Sequence, residues 1–191
     1  MWKWVVTGLR MLAVFTLLTG FVYPLLVTGV AQLLFPAQAN GSLVTKNGSP
    51  VGSRLIGQNF TGDKYFHGRP SAAGQDGYDG TASAGSNLGP TNQALLQAVA
   101  ERLSQIRQEN GLSQAAPVPA DLVLASASGL DPHITPAAAY LQAARVARAR
   151  GRDVAEVERL IEAKTEGRLA SVLGEERVNV LELNLALDES I

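Results

Sequence analysis

Cysteine is missing from this chain of 191 residues. Its absence excludes disulfides, thiolate zinc sites, iron–sulfur clusters and thiol nucleophiles. Histidine is nearly as scarce. His67 and His133 are the only two, 66 positions apart, and neither belongs to an HExxH pair. A metal site would have to be assembled by folding rather than carried by a local motif. The glycines between positions 74 and 89 are not followed by Lys-Ser or Lys-Thr, and no GxGxxG is present. A P-loop and a dinucleotide fingerprint are thereby excluded. Neither sign of charge dominates: 16 basic and 17 acidic residues leave a net charge of −1. That is not the strongly basic footprint of a nucleic-acid-binding protein.

The most informative absence is local. Between Arg10 and Lys46 there is no Asp, Glu, Lys or Arg. The apolar part, Met11 to Phe35, would form a helix roughly 37 Å long at about 1.5 Å per residue, against a hydrocarbon core of about 30 Å. A cleaved signal peptide is the alternative: Lys3 and Arg10 form a basic start, and Ala37-Gln38-Ala39 has the form of a cleavage site. The run exceeds the roughly 7–15 apolar residues of a signal sequence, so it reads as a retained membrane anchor. Gly20, Pro24 and Gly29 are its candidate helix-packing positions, small or kinking residues that suit contact with other membrane helices. Trp2, Trp4 and Phe35 stand at its ends, where aromatics favour the interface.

Lys3 and Arg10 on the N-terminal flank place that end in the cytoplasm and the bulk of the chain outside. The expected organisation is a cytoplasmic N-terminus (1–10), a transmembrane helix (11–35), a polar connector (36–52) and an exported domain (53–191). The remaining 14 basic and all 17 acidic residues fall after the span, leaving that part about three charges negative. A domain of about 150 residues is large enough for one core.

The exported part reads as mixed α/β, with a small sheet and about three helices. Asn47-Gly48 predicts a hairpin between Ser42–Lys46 and Val51–Ile56. Arg54 to Phe60 reads as a short strand. Residues 71–90 are rich in Gly, Ala, Ser and Asp and cannot bury a core, which predicts a defined loop. Leu95, Leu96, Val99, Leu103 and Ile106 recur at three and four, predicting a helix from about Thr91 to Asn110. Asp121 to Ala125 reads as a strand. Thr135-Pro136 predicts an N-cap and first helical residue for a helix ending at Gly151. Asp153 to Glu156 resembles a capping box that opens another helix, with Val157, Leu160 and Ile161 buried. Arg145, Arg148, Arg150 and Arg152 read as cations meeting a helix C-terminus. Val178 to Asn184 alternates as a strand does.

Ser126, Ser128, Asp131 and His133 lie in one loop, which raises a membrane-anchored exported hydrolase using Ser128, His133 and Asp131. A triad needs a nucleophile–base–orienter geometry that sequence adjacency does not supply, and no G-x-S-x-G elbow is present. Turn and capping roles account for the same residues.

Several blocks together are more specific than any of these motifs. Gly52 to Phe60 (GSRLIGQNF), Tyr65 to Ala72 (YFHGRPSA), Gly85 to Asn92 (GSNLGPTN), Ser126 to Ala139 (SASGLDPHITPAAA), Arg145-Val146-Ala147 and Val178 to Asn184 (VNVLELN) occur in order. So do Tyr23-Pro24-Leu25 and Gln38 to Ser42. With these blocks the chain resembles the C subunits of the bacterial high-affinity potassium-transporting ATPase, the Kdp system. The resemblance implies a single-span accessory protein of the bacterial inner membrane, without catalysis of its own. It implies two partners in one complex, a channel-like potassium-binding subunit and a P-type ATPase subunit, besides the lipid bilayer. It also implies a role in assembly and as a catalytic chaperone that raises the ATPase subunit's affinity for ATP. ATP and potassium enter at the level of the complex; no cofactor is expected on this chain. Two turn-rich loops without an evident core role are the expected partner surfaces: Gly85, Ser86, Asn87, Leu88, Gly89 and Pro90, and Ser128, Gly129, Leu130, Asp131, Pro132 and His133. Substituting Asn87 or Asp131 by Ala is expected to weaken assembly while sparing the domain's stability.

Overall fold

The computed structural model describes residues 1–189. Ser190 and Ile191, the end of the expected domain, lie outside the described residues. The chain divides into two compact units, Met1–Pro50 and the part from Val51 onward.

The first unit is dominated by one helical run, Trp2–Leu34. Its segments are α1 (Trp2–Leu17), a π-helical turn (Leu18–Val22) and α2 (Tyr23–Leu34). The wide turn has an identifiable cause. Pro24 has no N–H, and in a regular helix its ring would collide with the carbonyl of Gly20. One widened turn directly before Pro24 lets the helix pass through without a break. Thr19 Oγ1 donates to the Phe15 carbonyl at 2.6 Å in the same region. The helix buries none of its large side chains: Leu25 is 70% and Leu33 80% exposed. Apolar residues around the whole circumference suit a helix solvated by lipid rather than one face against a core. The helix begins at Trp2, so the expected segment 1–10 is helical and continuous with the span.

A short α3 (Pro36–Ala39) precedes a two-stranded hairpin, β1 (Leu43–Lys46) and β2 (Ser49–Ser53). Asn47 and Gly48 at its turn both have positive φ, 53° and 78°. Asn-Gly is the pair that tolerates this, so a hairpin forms at the predicted turn, its second strand at Ser49–Ser53 rather than Val51–Ile56,.

The second unit holds α4 (Gln93–Glu109), β3 (His133–Ile134), α5 (Pro136–Arg150), α6 (Val154–Lys164), β4 (Thr165–Glu166), β5 (Arg177–Asn179) and α7 (Val180–Glu189). The three strands form an antiparallel sheet in the order β3-β5-β4, with Ile134 opposite Val178 and Thr165 opposite Val178 on the other side. Helices α5, α6 and α7 supply most of the core. Ala143, Val146 and Ala147 of α5 meet Val157 and Ile161 of α6 and Leu183 and Leu187 of α7, all nearly solvent-free. Alanine at those positions of α5 leaves room for its neighbours to approach closely. The helix ends follow the predicted chemistry. Thr135 Oγ1 accepts from Ala138 N–H at 3.1 Å, Asp153 Oδ1 accepts from Ala155 N–H at 3.1 Å, and Gly151 terminates α5 at φ 65°.

Three predicted strands are revised. Residues 178–184 form a strand only to Asn179; from Val180 they are helical. The Asn179 carboxamide oxygen accepts from Glu182 N–H at 3.2 Å, a side-chain cap that opens α7,. The alternation of VNVLELN concealed a helical spacing, Val180, Leu183 and Leu187, that is fully buried. Around Asp121 the chain makes a single 3₁₀ turn, Ala120–Leu122, rather than a strand. There the Asp121 carboxylate accepts from Thr135 N–H at 2.6 Å. Beyond Ser53, the segment to Phe60 is turn and extended loop, not a strand. Its Gly57 N–H donates to the Leu130 carbonyl at 2.8 Å, so it is held by a loop rather than by a sheet neighbour.

Candidate functional site

Between Gly62 and Ser71 the chain has no regular secondary structure, yet it is among the most firmly held segments of the second unit. Phe66 is fully buried in the core. Because the segment pairs with no strand, its backbone groups need partners from elsewhere. Side chains of α5 and α7 provide them. Asn184 binds Phe66 on both sides: its oxygen accepts from Phe66 N–H at 2.8 Å and its amide donates to the Phe66 carbonyl at 3.0 Å. Gln142 does the same for His67, at 2.8 and 3.2 Å. A carboxamide that mimics a strand edge in this way satisfies a donor and an acceptor at once.

Arg145 completes the arrangement. Only 4% exposed, it donates to the Asp63 carbonyl at 2.6 Å, the Tyr65 carbonyl at 3.0 Å, Gln142 Oε1 at 2.9 Å and Asn110 Oδ1 at 3.2 Å. Burial pulls its pKa down, while the carboxylates of Glu109 and Asp63 oppose that shift. Arg150 extends the same logic, donating to the Lys64 and Leu187 carbonyls and to Asp188 at 2.8 Å. The predicted role of these two arginines, helix-end cations, is therefore too modest. They are cross-links between α5 and the loop. No sequence periodicity marks such residues. The signal present was Gln142 and Arg145 on an otherwise alanine-rich helix, one turn apart.

Both expected partner loops are built on this frame. Ser71 Oγ donates to the Gly129 carbonyl at 2.6 Å and accepts from Tyr78 N–H at 2.7 Å. Ser83 Oγ donates to the Ser128 carbonyl at 2.9 Å. A Cβ on Gly85 would stand 2.9 Å from the Ala127 carbonyl oxygen. Gly129, at φ 67°, has the Ala73 amide and the Ala84 carbonyl where a side chain would go. Glycine is required there for both conformation and space. Within the first loop Ser86, Asn87, Leu88, Gly89 and Pro90 are exposed, with Asn87 at φ 52°, and Gly85 is half-buried. In the second loop Ser128 is exposed, Leu130, Asp131 and His133 are half-buried, and Gly129 and Pro132 are buried. The structure thus brings the base of the first loop against the start of the second.

Asp131 is committed to structure. One carboxylate oxygen accepts from His133 N–H at 3.0 Å and the other from Arg69 Nη1 at 3.1 Å. Burial would raise its pKa, but the hydrogen bonds from His133 and the Arg69 charge outweigh that and hold it below the usual carboxylate range. Tyr78 donates its hydroxyl to the Arg69 carbonyl at 2.6 Å, and burial, with Asp131 nearby, pushes its pKa up to about 12. Replacing Asp131 by Ala would therefore release Arg69 and His133, contrary to the expectation that it spares stability.

The hydrolase geometry is not assembled. Ser128 Oγ accepts from Leu130 N–H at 3.1 Å in a local turn, and the His133 ring stands 3.5 Å from Asp131. No hydrogen bond joins Ser128 to His133 among the described residues. The other histidine, His67, lies 3.6 Å from Glu109 of α4 and 3.3 Å from the Gly62 carbonyl. Burial and then the Arg145 charge lower its pKa, so it is neutral at pH 7. It opens, with Arg69, Tyr78, Arg102 and Glu109, onto a cleft of about 300 Å³ between the stapled segment and α4. In the helical unit, a Cβ on Gly20 or Gly29 would meet nothing within 4 Å, so both present open helix surface, Gly20 within the π turn before Pro24.

Comparison with known proteins gives one family. The model of KdpC, the c chain of the K⁺-transporting ATPase, matches residues 5–189. The potassium-transporting ATPase KdpC subunit of Mycobacterium tuberculosis (strain ATCC 25618 / H37Rv) is 59% identical over 181 residues, 95% of each chain. That of Polaromonas naphthalenivorans (strain CJ2) is 61% identical over 175 residues, 92% of this chain and 89% of the relative. The KdpC subunit of Gemmatimonas aurantiaca is 58% identical over 181 residues, 95% and 90%.

Proposed function

The chain belongs to the KdpC family, the c chains of K⁺-transporting ATPases, and on that premise we propose that it is a non-catalytic, membrane-anchored accessory subunit of an ATP-driven potassium importer. In this reading Trp2–Leu34 spans the inner membrane with the N-terminus cytoplasmic, and the part from about residue 53 is an exported domain. The partners are the potassium-binding, channel-like subunit and the P-type ATPase subunit of the same complex. ATP and potassium are bound by those partners. Where the chain raises the ATPase subunit's affinity for ATP, the effect is relayed through packed membrane helices, with Gly20, Pro24 and Gly29 on the packing surface.

The observation that carries this reading is the use made of the polar side chains around the two loops. Ser71, Tyr78, Ser83, Asp131, Gln142 and Arg145 all hold backbone in place. What remains at the surface is an uncharged contour, Ser86 to Pro90 and Ser128, suited to protein contact,. The segments Gly85–Pro90 and Ser128–His133 are its partner-binding surface, with Asp131 and Gly129 shaping it from beneath. Asn87→Gly, which keeps the positive φ, combined with Leu88→Ala should reduce the share of chain co-purifying with the pump at least several-fold while shifting the thermal midpoint of the isolated chain by no more than about 2 °C,. Normal recovery and transport by that variant would remove the first loop from the interface.

A further inference from the structure

Between β4 and β5 the chain projects a small tip, Arg168 to Glu175, built like the Asn47-Gly48 turn on two positive-φ residues but without glycine or asparagine at either. Leu169 and Leu173 face each other with paired backbone hydrogen bonds of 2.8 and 3.0 Å. Val172 N–H donates to the Leu169 carbonyl at 3.2 Å, closing the turn. Ala170 and Ser171, the two central residues, have φ 51° and 62°. That conformation is normally left to Gly and Asn, so the turn is held against its local preference. Arg168 and Glu175 pair across its base at 2.8 Å. An ordered, tight turn of this kind usually carries polar residues. Here it displays Leu169 and Val172 at 74% exposure and Leu173 at 63%. Three large apolar side chains on one projecting turn form a patch rather than scattered surface leucines.

We infer that this tip dips into the lipid surface, with Leu169, Val172 and Leu173 entering the interfacial region of the bilayer. The inference rests on the reading of Trp2–Leu34 as a membrane span. Only 16 residues, Phe35 to Pro50, separate that helix from the second unit. The unit is thus held permanently within a few tens of ångströms of lipid. Three apolar side chains alone give weak, reversible membrane binding, but a covalent tether raises the local concentration of the surface enough to make such contacts persistent. The charges around the tip suit a neutral interface: Lys164, Arg168 and Arg177 are balanced by Glu166, Glu175 and Glu176. Glu166 accepts from Arg177 at 2.9 Å, so much of that charge is already paired. A single-sign collar would have called for charged lipid or a charged partner; this one does not.

The absence of cysteine makes the test direct. Val172→Cys introduces a unique thiol at an exposed position, to be labelled with a polarity-sensitive fluorophore in the full-length chain. The labelled chain is placed in nanodiscs of zwitterionic lipid, alone and as part of the assembled pump, with nitroxide groups on the lipid acyl chains. Lipid contact predicts blue-shifted emission and at least twofold quenching by the nitroxide lipid in both preparations. Adding Leu169→Ser and Leu173→Ser should abolish most of that quenching. Emission typical of water in both preparations would overturn the inference. So would a blue shift that appears only in the assembled pump and resists the nitroxide lipid, because a protein surface would then cover the tip. Resistance of the chain to alkaline extraction from the same nanodisc lipids as vesicles reports the membrane span separately, so failure of the tip and failure of the anchor are distinguishable.

Discussion

Arg145 holds the second unit together in a way that no apolar pattern marks. Its guanidinium satisfies two backbone carbonyls of a loop that has no strand partner, and it does so from inside the core. Replacing it with Met keeps the packing volume but strands those acceptors, each at about 1–3 kcal/mol. Arg145→Met should therefore destabilise the chain by roughly 3 kcal/mol in denaturant unfolding, with Arg148→Met, exposed on the same helix, as a near-neutral control. His67 gives a prediction with a sign. Its folded pKa is lowered from 6.5 by burial and by Arg145. The unfolded chain therefore binds more protons than the folded one below pH 6.5, and stability falls as pH drops through that window. In His67→Gln that part of the acid loss should disappear; an unchanged slope just below pH 6.5 would contradict the assignment. Neither role was legible beforehand. The sequence shows that Arg145 and His67 exist, but their meeting links positions 78 residues apart.

Elements were legible where local chemistry decides them. Thr135-Pro136, Asp153, Gly151 and Asn47-Gly48 each specify an end or a turn by their own conformational preferences, and each is found where expected. Elements failed where a side chain from elsewhere decides. The switch from strand to helix at Val180 depends on Asn179, whose oxygen caps α7 while its amide donates to the Arg54 carbonyl at 2.9 Å. Loss of both should make Asn179→Ala cost about 1–2 kcal/mol. Asn179→Asp, which keeps the capping oxygen, should recover part of that, as read by thermal unfolding. The N-terminal apolar helix presents the same contrast: its apolar run was plain from the missing charges, whereas its start at Trp2 was not, and the π turn before Pro24 is a three-dimensional answer to one missing N–H. Loop 71–90 was legible as a loop, and Gly85 to Pro90 within it as an expected partner surface, but not in how it is held. Its glycines could be counted, yet which of them meets another backbone required the fold; Gly85 does and Gly89 does not.

At the scale of the whole molecule, the two units divide the work: an apolar helix with no core of its own, and a domain whose loops are fixed by buried polar side chains. Family membership was legible because the ordered blocks lie where the structure places its constraints. YFHGRPS is the stapled segment, and SASGLDPHIT runs from the second loop to the cap of α5. The central claim, that this chain acts by holding pump subunits rather than by chemistry of its own, is tested most directly by affinity purification of the full-length chain from gently solubilised membranes of potassium-starved cells. Native mass spectrometry of the purified material identifies the chains bound to it and their ratio. The account predicts recovery of a P-type ATPase subunit and a large channel-like subunit in a fixed ratio to the chain. Recovery of the chain alone, with hydrolytic activity lost in Ser128→Ala, would contradict it.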